Sequence, residues 1–152
     1  GTGIWAKYRP GIEVWDGPFE SRLEPTLEKP FGGQMGNFDI PITGDNRTFS
    51  AKFTGKVKAP YDDTYTFWIS HDDGCTVRVN GQLIYSLTGW KWVGEGQFRP
   101  SDPVQLYADQ WVDLEITVVN YNGPTHLQVR WSNSSDTSPQ TIPTANLSPV
   151  VY

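Results

Sequence analysis

Asp72 and Asp73 are the residues of this chain best placed to do chemistry: two adjacent carboxylates within His71-Asp72-Asp73-Gly74, between two segments that alternate like sandwich strands. Upstream, residues 64–70 put Tyr65, Phe67 and Ile69 on one face and mostly hydroxyl side chains on the other. Downstream, Cys75, Val77 and Val79 repeat the period. Successive side chains of an extended strand point to opposite faces, so neighbouring aspartates reach one partner only where the backbone between them bends or turns cis. A divalent cation held by both would cancel their mutual repulsion. Gly74 supplies the backbone freedom such a tip needs. The tetrad is equally the pattern of an ion-free Asp-Asp-Gly surface turn, and taken alone it is read as that turn.

The elements that must position this tip are strands. The chain has 152 residues, one domain's worth, and 15 Gly and 12 Pro interrupt it too often for long helices. With 7 Trp, 7 Tyr and 7 Phe it has the aromatic content of an all-β core. Residues 4–8 read as a first strand, ended by Pro10-Gly11 and followed by an irregular stretch to Gly44 expected to wrap the surface. Phe49, Ala51, Phe53 and Val57 alternate as a second strand, interrupted at Gly55. Asn80-Gly81 between alternating segments predicts a hairpin with a type I′ turn. Residues 111–119 and 126–131 read as long strands forming an antiparallel pair, joined by the polar, oxygen-rich connection 120–125. Residues 86–96 and 132–140 read as loops, and residues from Ile142 to Leu147 as an extended tail. The expectation is one domain over residues 1–152, a two-sheet antiparallel β-sandwich with long surface loops.

Composition also excludes partners. Net charge is −5, and the basic residues are scattered, which leaves no electrostatic footprint for nucleic acid. No run of 18 apolar residues exists, so no membrane insertion is expected. The start at Gly1-Thr2-Gly3 shows no charged-then-apolar leader, and the chain is expected to be a module of a larger protein. The single cysteine, Cys75, is in register with Val77 and Val79 and reads as a small core residue.

From Phe53 to Ile84 the pattern resembles the lectin-like domain family named after the N-terminal fragment of the anthrax protective antigen. The resemblance rests on Gly55 and Pro60 before Thr64-Tyr65-Thr66-Phe67, on Ser70 to Gly74, and on Val79-Asn80-Gly81 with Leu83-Ile84. It continues through Leu106, Trp111, Gly123, Trp131, Ile142-Pro143 and Leu147. Cysteine pairs like those of the family's yeast adhesins are absent, so the chain is more similar to the bacterial branch. The resemblance implies a β-sandwich of lectin-like, jelly-roll type in which paired aspartates and a second loop bind calcium, which in turn binds sugar hydroxyls. Position by position it implies Asp72 and Asp73 as carboxylate ligands, the Asn120 side-chain oxygen, and the carbonyls of Asn122 and Pro124. A slip of register would make Asn122 the side-chain ligand. With the resemblance, a metal site rather than a plain turn is the expectation. Calcium takes 6–8 hard oxygen ligands, so such a set leaves positions open for a vicinal diol, and Asp72 and Asp73 can accept hydrogen bonds from the same hydroxyls.

Trp90 and Trp92 are candidate sugar-stacking platforms or core residues, and their alternation predicts that one of them faces outward. Tyr121, at a loop tip, is the better exposed aromatic; Trp5, Trp68, Trp111 and Trp131 are assigned to the sandwich. Asp62-Asp63 reads as a solvated turn, and His71 and His126 lack zinc-ligand spacing. Adjacent aspartates cannot flank a glycosidic bond, and Glu13, Asp16, Glu20, Glu24 and Glu28 fall where no strand framework is predicted, so no catalytic residues are assigned. The function expected is calcium-dependent saccharide or polysaccharide binding, for adhesion or targeting at the cell surface or outside the cell. A structural or protein-interaction spacer is the alternative.

Overall fold

A computed structural model describes residues 1–11, 19–30, 38 and 48–150. In chain order the strands are β1 (Ile4–Pro10), β2 (Glu20–Glu24), β3 (Glu28–Lys29), β4 (Phe49–Lys58), β5 (Asp63–Asp72), β6 (Gly74–Val79) and β7 (Gln82–Leu87), followed by β8 (Arg99–Pro100), β9 (Val104–Leu106), β10 (Trp111–Asn120), β11 (His126–Asn133), β12 (Gln140–Thr141) and β13 (Leu147–Pro149). One sheet has the order β2-β1-β4-β10-β6-β7, with β13 also on β4; the other has β12-β11-β5-β8, with β3 on β11 and β9 on β5. All these pairings are antiparallel. The all-β antiparallel sandwich expected from the alternation is therefore the observed fold. Among the described residues no helix is long and apolar enough to cross a membrane.

The period of two explains the core. From the first sheet Ile4, Ala6, Tyr8, Phe53, Val57, Val77, Val79, Leu114, Ile116 and Val118 turn inward; Tyr65, Phe67, Ile69, Leu127, Val129 and Trp131 meet them from the second. Cys75 lies in the same core, and burial pushes its thiol up, away from reactivity. Of the four tryptophans assigned to the sandwich only Trp131 is buried; Trp5, Trp68 and Trp111 sit half-buried on outward faces. Asn80 and Gly81 have φ of 53° and 78°, as a type I′ turn requires.

Several expectations need correction. Residues 111–120 and 126–133 do not pair with each other: β10 lies between β4 and β6 in one sheet, β11 beside β5 in the other. A short polar connection between two alternating segments looks the same whether the chain turns back in one sheet or crosses to the next. Gly55 does not interrupt β4. It lies within the strand, and a Cβ there would stand 2.3 Å from the Ser148 carbonyl oxygen, so glycine is what lets β13 close against β4. The tail is not simply extended, having a 3-10 turn at Thr144–Asn146 before β13. The early acidic stretch does have a strand framework, in β2 and β3, but it uses the acids structurally. Glu24 is buried, accepts from the Tyr8 hydroxyl at 2.7 Å and pairs with Lys29 at 3.4 Å. Glu28 holds Gln128, Arg130 and Thr141. Glu13 and Asp16 lie outside the described residues.

Candidate metal and saccharide site

The topology places the aspartate tip and the 120–125 loop side by side. β5 belongs to the second sheet and β6 to the first, so Asp72-Asp73-Gly74 is a crossing between sheets and not a hairpin turn. β10 and β11 make the reverse crossing through residues 121–125. Because β6 pairs with β10 and β5 with β11, the crossings are neighbours: Gly74 lies opposite Val119 and Asp72 opposite His126.

Within this double crossing the Asp72-Asp73 peptide is cis. The Asp73 amide donates to the Val119 carbonyl at 2.8 Å, and the Tyr121 amide donates to Asp73 Oδ2 at 2.9 Å. The Thr125 hydroxyl donates to the Asp72 carbonyl. Asn120 is buried, and its amide nitrogen donates to the Gly123 carbonyl at 2.9 Å, so the amide oxygen is the end not used in that bond. Asn122 is exposed, and its side-chain oxygen accepts from the Gly123 amide at 3.0 Å. Of the two asparagines, Asn120 has the buried side chain beside the tip. Thr125, which the motif reading passed over, ties the loop to the aspartates; its signal was a hydroxyl residue ending an oxygen-rich connection.

Burial, followed by the hydrogen bond and charge of Asp73, pushes the Asp72 carboxyl up from 3.8 to about 7. The pair is held together against its own repulsion, which a proton on Asp72 or a bound cation would relieve. Among the described residues no group of three or more His, Cys, Asp or Glu could hold a metal ion. A cation held by the two aspartates would take its further ligands from other oxygens, and the amide and carbonyl oxygens of Asn120, Asn122 and Pro124 lie in the adjoining loop. That all-oxygen donor set fits a hard cation such as calcium.

The two histidines support the tip from behind. His71 is fully buried; its Nδ1–H donates to the Asp73 carbonyl and the Tyr85 hydroxyl donates to Nε2 at 2.7 Å. Burial lowers it to about 4, so it is neutral at physiological pH. His126 is buried too, with Nε2 2.8 Å from the Ser70 hydroxyl, which itself donates to the Gly94 carbonyl. Asp62 is a turn residue, as read, and accepts from the Ala108 amide at 2.6 Å, whereas Asp63 is the first residue of β5, pairs with Leu106 of β9 and accepts from Thr64 and Ser135.

A Cβ at Gly74 would stand 3.1 Å from Gly89 N and Thr88 Cα, so the 88–89 segment lies directly on the tip. It delivers Trp90, whose ring stacks on Tyr121 with centroids 4.7 Å apart and an interplanar angle of 19°. Tyr121 is consequently half-buried, whereas Trp90 and Trp92 are 64% and 60% exposed. The aromatic reading is thus corrected twice: both tryptophans face outward, and Tyr121 is the covered member. Alternation carried no information there because residues 88–98 are not a strand.

Several known proteins share this architecture. The chain is 28% identical over 149 residues to the Anti-sigma-I factor RsgI3 of Acetivibrio thermocellus, a match covering 98% of this chain and 22% of that protein. An anti-sigma factor domain-containing protein from Clostridium clariflavum superposes with a TM-score of 0.79 at 23% identity, over 99% of this chain and 48% of that one. The PA14 sugar-binding domain from an RTX adhesin superposes with a TM-score of 0.73 at 16% identity, over 98% and 99% of the two chains. The chain thus spans about a fifth of the length of its curated relative and about half of the first solved structure. The family model described as the PA14 domain matches residues 28–145, a span that includes the aspartate tip, the 120–125 loop and both exposed tryptophans, and the chain belongs to the PA14 domain family.

Proposed function

We propose that this domain binds saccharides through a calcium ion held by Asp72, Asp73, the Asn120 side chain and the carbonyls of Asn122 and Pro124. The observation that carries the reading is the double crossing, which holds two repelling carboxylates against an oxygen-rich loop. A calcium ion with 6–8 ligands keeps positions for vicinal hydroxyls after those five, and Asp72 and Asp73 accept hydrogen bonds from the same hydroxyls. Trp90, stacked on Tyr121, and Trp92 offer apolar faces to a pyranose ring beside the ion. The likeness to a domain described as sugar-binding supports the same reading.

One ion and one or two ring faces expose little surface to a monosaccharide, so its dissociation constant is expected to be about 0.1–1 mM. The domain serves a longer chain as its polysaccharide-reading part outside the cell, where several contacts along one polymer add avidity. Calorimetric titration with calcium, then with a saccharide panel in calcium and in chelator, tests this. Calcium binding and chelator-sensitive saccharide binding are expected. Identical melting curves in calcium and chelator, with no saccharide bound, would leave the spacer reading instead.

A further inference from the structure

A groove runs from the tip along the open side of the sandwich. β7 is the edge strand of one sheet and β8 of the other, and between them lie three adjoining cavities of about 390, 230 and 330 Å³. The first two share Leu87 and Arg99, and the last two share Tyr85, Ser86 and Pro100, so they form one path. The largest is walled by Leu87, Trp90, Lys91, Trp92 and Arg99. Trp90 has one ring face on Tyr121, which places this end of the groove at the aspartate tip. An extended polymer, rather than a lone sugar, suits three cavities in a row.

The charge of the groove selects the polymer. Lys91 and Arg99 are exposed, wall the same cavity and, among the described residues, form no ion pair with a carboxylate. They are two basic side chains on one wall of a groove in a protein whose net charge is −5. Beside them are the two most exposed tryptophan faces of the described structure. Aromatic faces take the apolar side of a pyranose, and a guanidinium takes a carboxylate in a planar, two-bond geometry.

We propose that the groove reads an acidic polysaccharide, with a uronic-acid ring on Trp90 and Trp92 and its carboxylate hydrogen-bonded by Arg99 and Lys91, while a neighbouring sugar of the same polymer engages the tip. This rests on the saccharide reading above and specifies its ligand. Further along the groove Ser86 suits a hydroxyl of the next ring, while the Asp102 carboxylate disfavours a second uronate at that position.

The test is calorimetric titration in calcium with trisaccharides of galacturonate, mannuronate and guluronate, too short to gel with the ion, against their methyl esters, which keep the rings and cap the charge. At least one acid binds about tenfold more tightly than its ester. In K91Q/R99Q that acid falls to the level of its ester, while the calcium-induced rise in melting temperature, which depends on other residues, is retained. A sulfated oligosaccharide of equal charge binds more weakly than the acid; equal binding overturns the carboxylate assignment. Esters as tight as acids, or a preference that survives K91Q/R99Q, also overturn the proposal. Calcium-dependent binding of neutral saccharides with no acid preference overturns this proposal alone, whereas no calcium response and no saccharide binding overturns both it and the reading it rests on.

Discussion

Asp72→Asn removes one of two charges that face each other at the tip, so in chelator at pH 8 the variant should be more stable than the parent while losing the response to calcium. The Asp72 carboxyl is displaced from 3.8 to about 7, chiefly by burial and then by Asp73. Between those values the folded chain keeps a proton that the unfolded chain releases, so stability falls as pH rises through this window and levels off above it. Taken whole, the displacement corresponds to about 4 kcal/mol. Asp72 is only half-buried, and solvent screening reduces this to about 1–2 kcal/mol, or about 2–8 °C in melting temperature for a chain of this size. Calcium bound at the pair would compete with the same proton. At a hundred times its dissociation constant it adds about 2.7 kcal/mol, and its affinity weakens as pH drops below 7. Thermal melts of both proteins at pH 5, 6, 7 and 8, in chelator and in calcium, measure these effects. Asp63→Ala, at the opposite end of β5 from Asp72, should keep the calcium response and serves as the control. The reasoning fails if Asp72→Asn is the less stable protein in chelator at pH 8, or if the parent's stability in chelator is flat from pH 5 to 8.

Trp90→Ala removes the ring that lies on Tyr121, and saccharide affinity measured by calorimetry should drop about five- to twentyfold with calcium affinity unchanged; an unchanged saccharide affinity would take the tryptophan out of the site. Gly55→Ala forces a Cβ to within 2.3 Å of the Ser148 carbonyl oxygen, so β13 must give way at a cost of about 2–3 kcal/mol in denaturant unfolding. A variant within about 0.5 kcal/mol of the parent would show that the β13 contact yields freely.

The alternation of residues such as Tyr65, Phe67 and Ile69 determined the strands and their inward faces without any structure, because a strand that buries one side must repeat with period two. Asn80-Gly81 determined its hairpin because few other residues tolerate two successive positive φ values. The adjacent carboxylates Asp72 and Asp73 were likewise visible as a candidate pair. What their neighbours would be was not. Two strands joined by a short, largely polar connection carry no mark of whether they share a sheet, and only the packing of the two sheets turned 121–125 into a crossing alongside the aspartates. The burial of Glu24 against Tyr8 and Lys29 depends on partners brought in by other strands. The exposure of Trp90 and Trp92, and their place beside Lys91 and Arg99, follow from a loop laid across the sandwich edge. Periodicity is a local property set by each strand's own two faces, whereas a site made where two sheets exchange strands depends on contacts between residues about fifty positions apart in the chain.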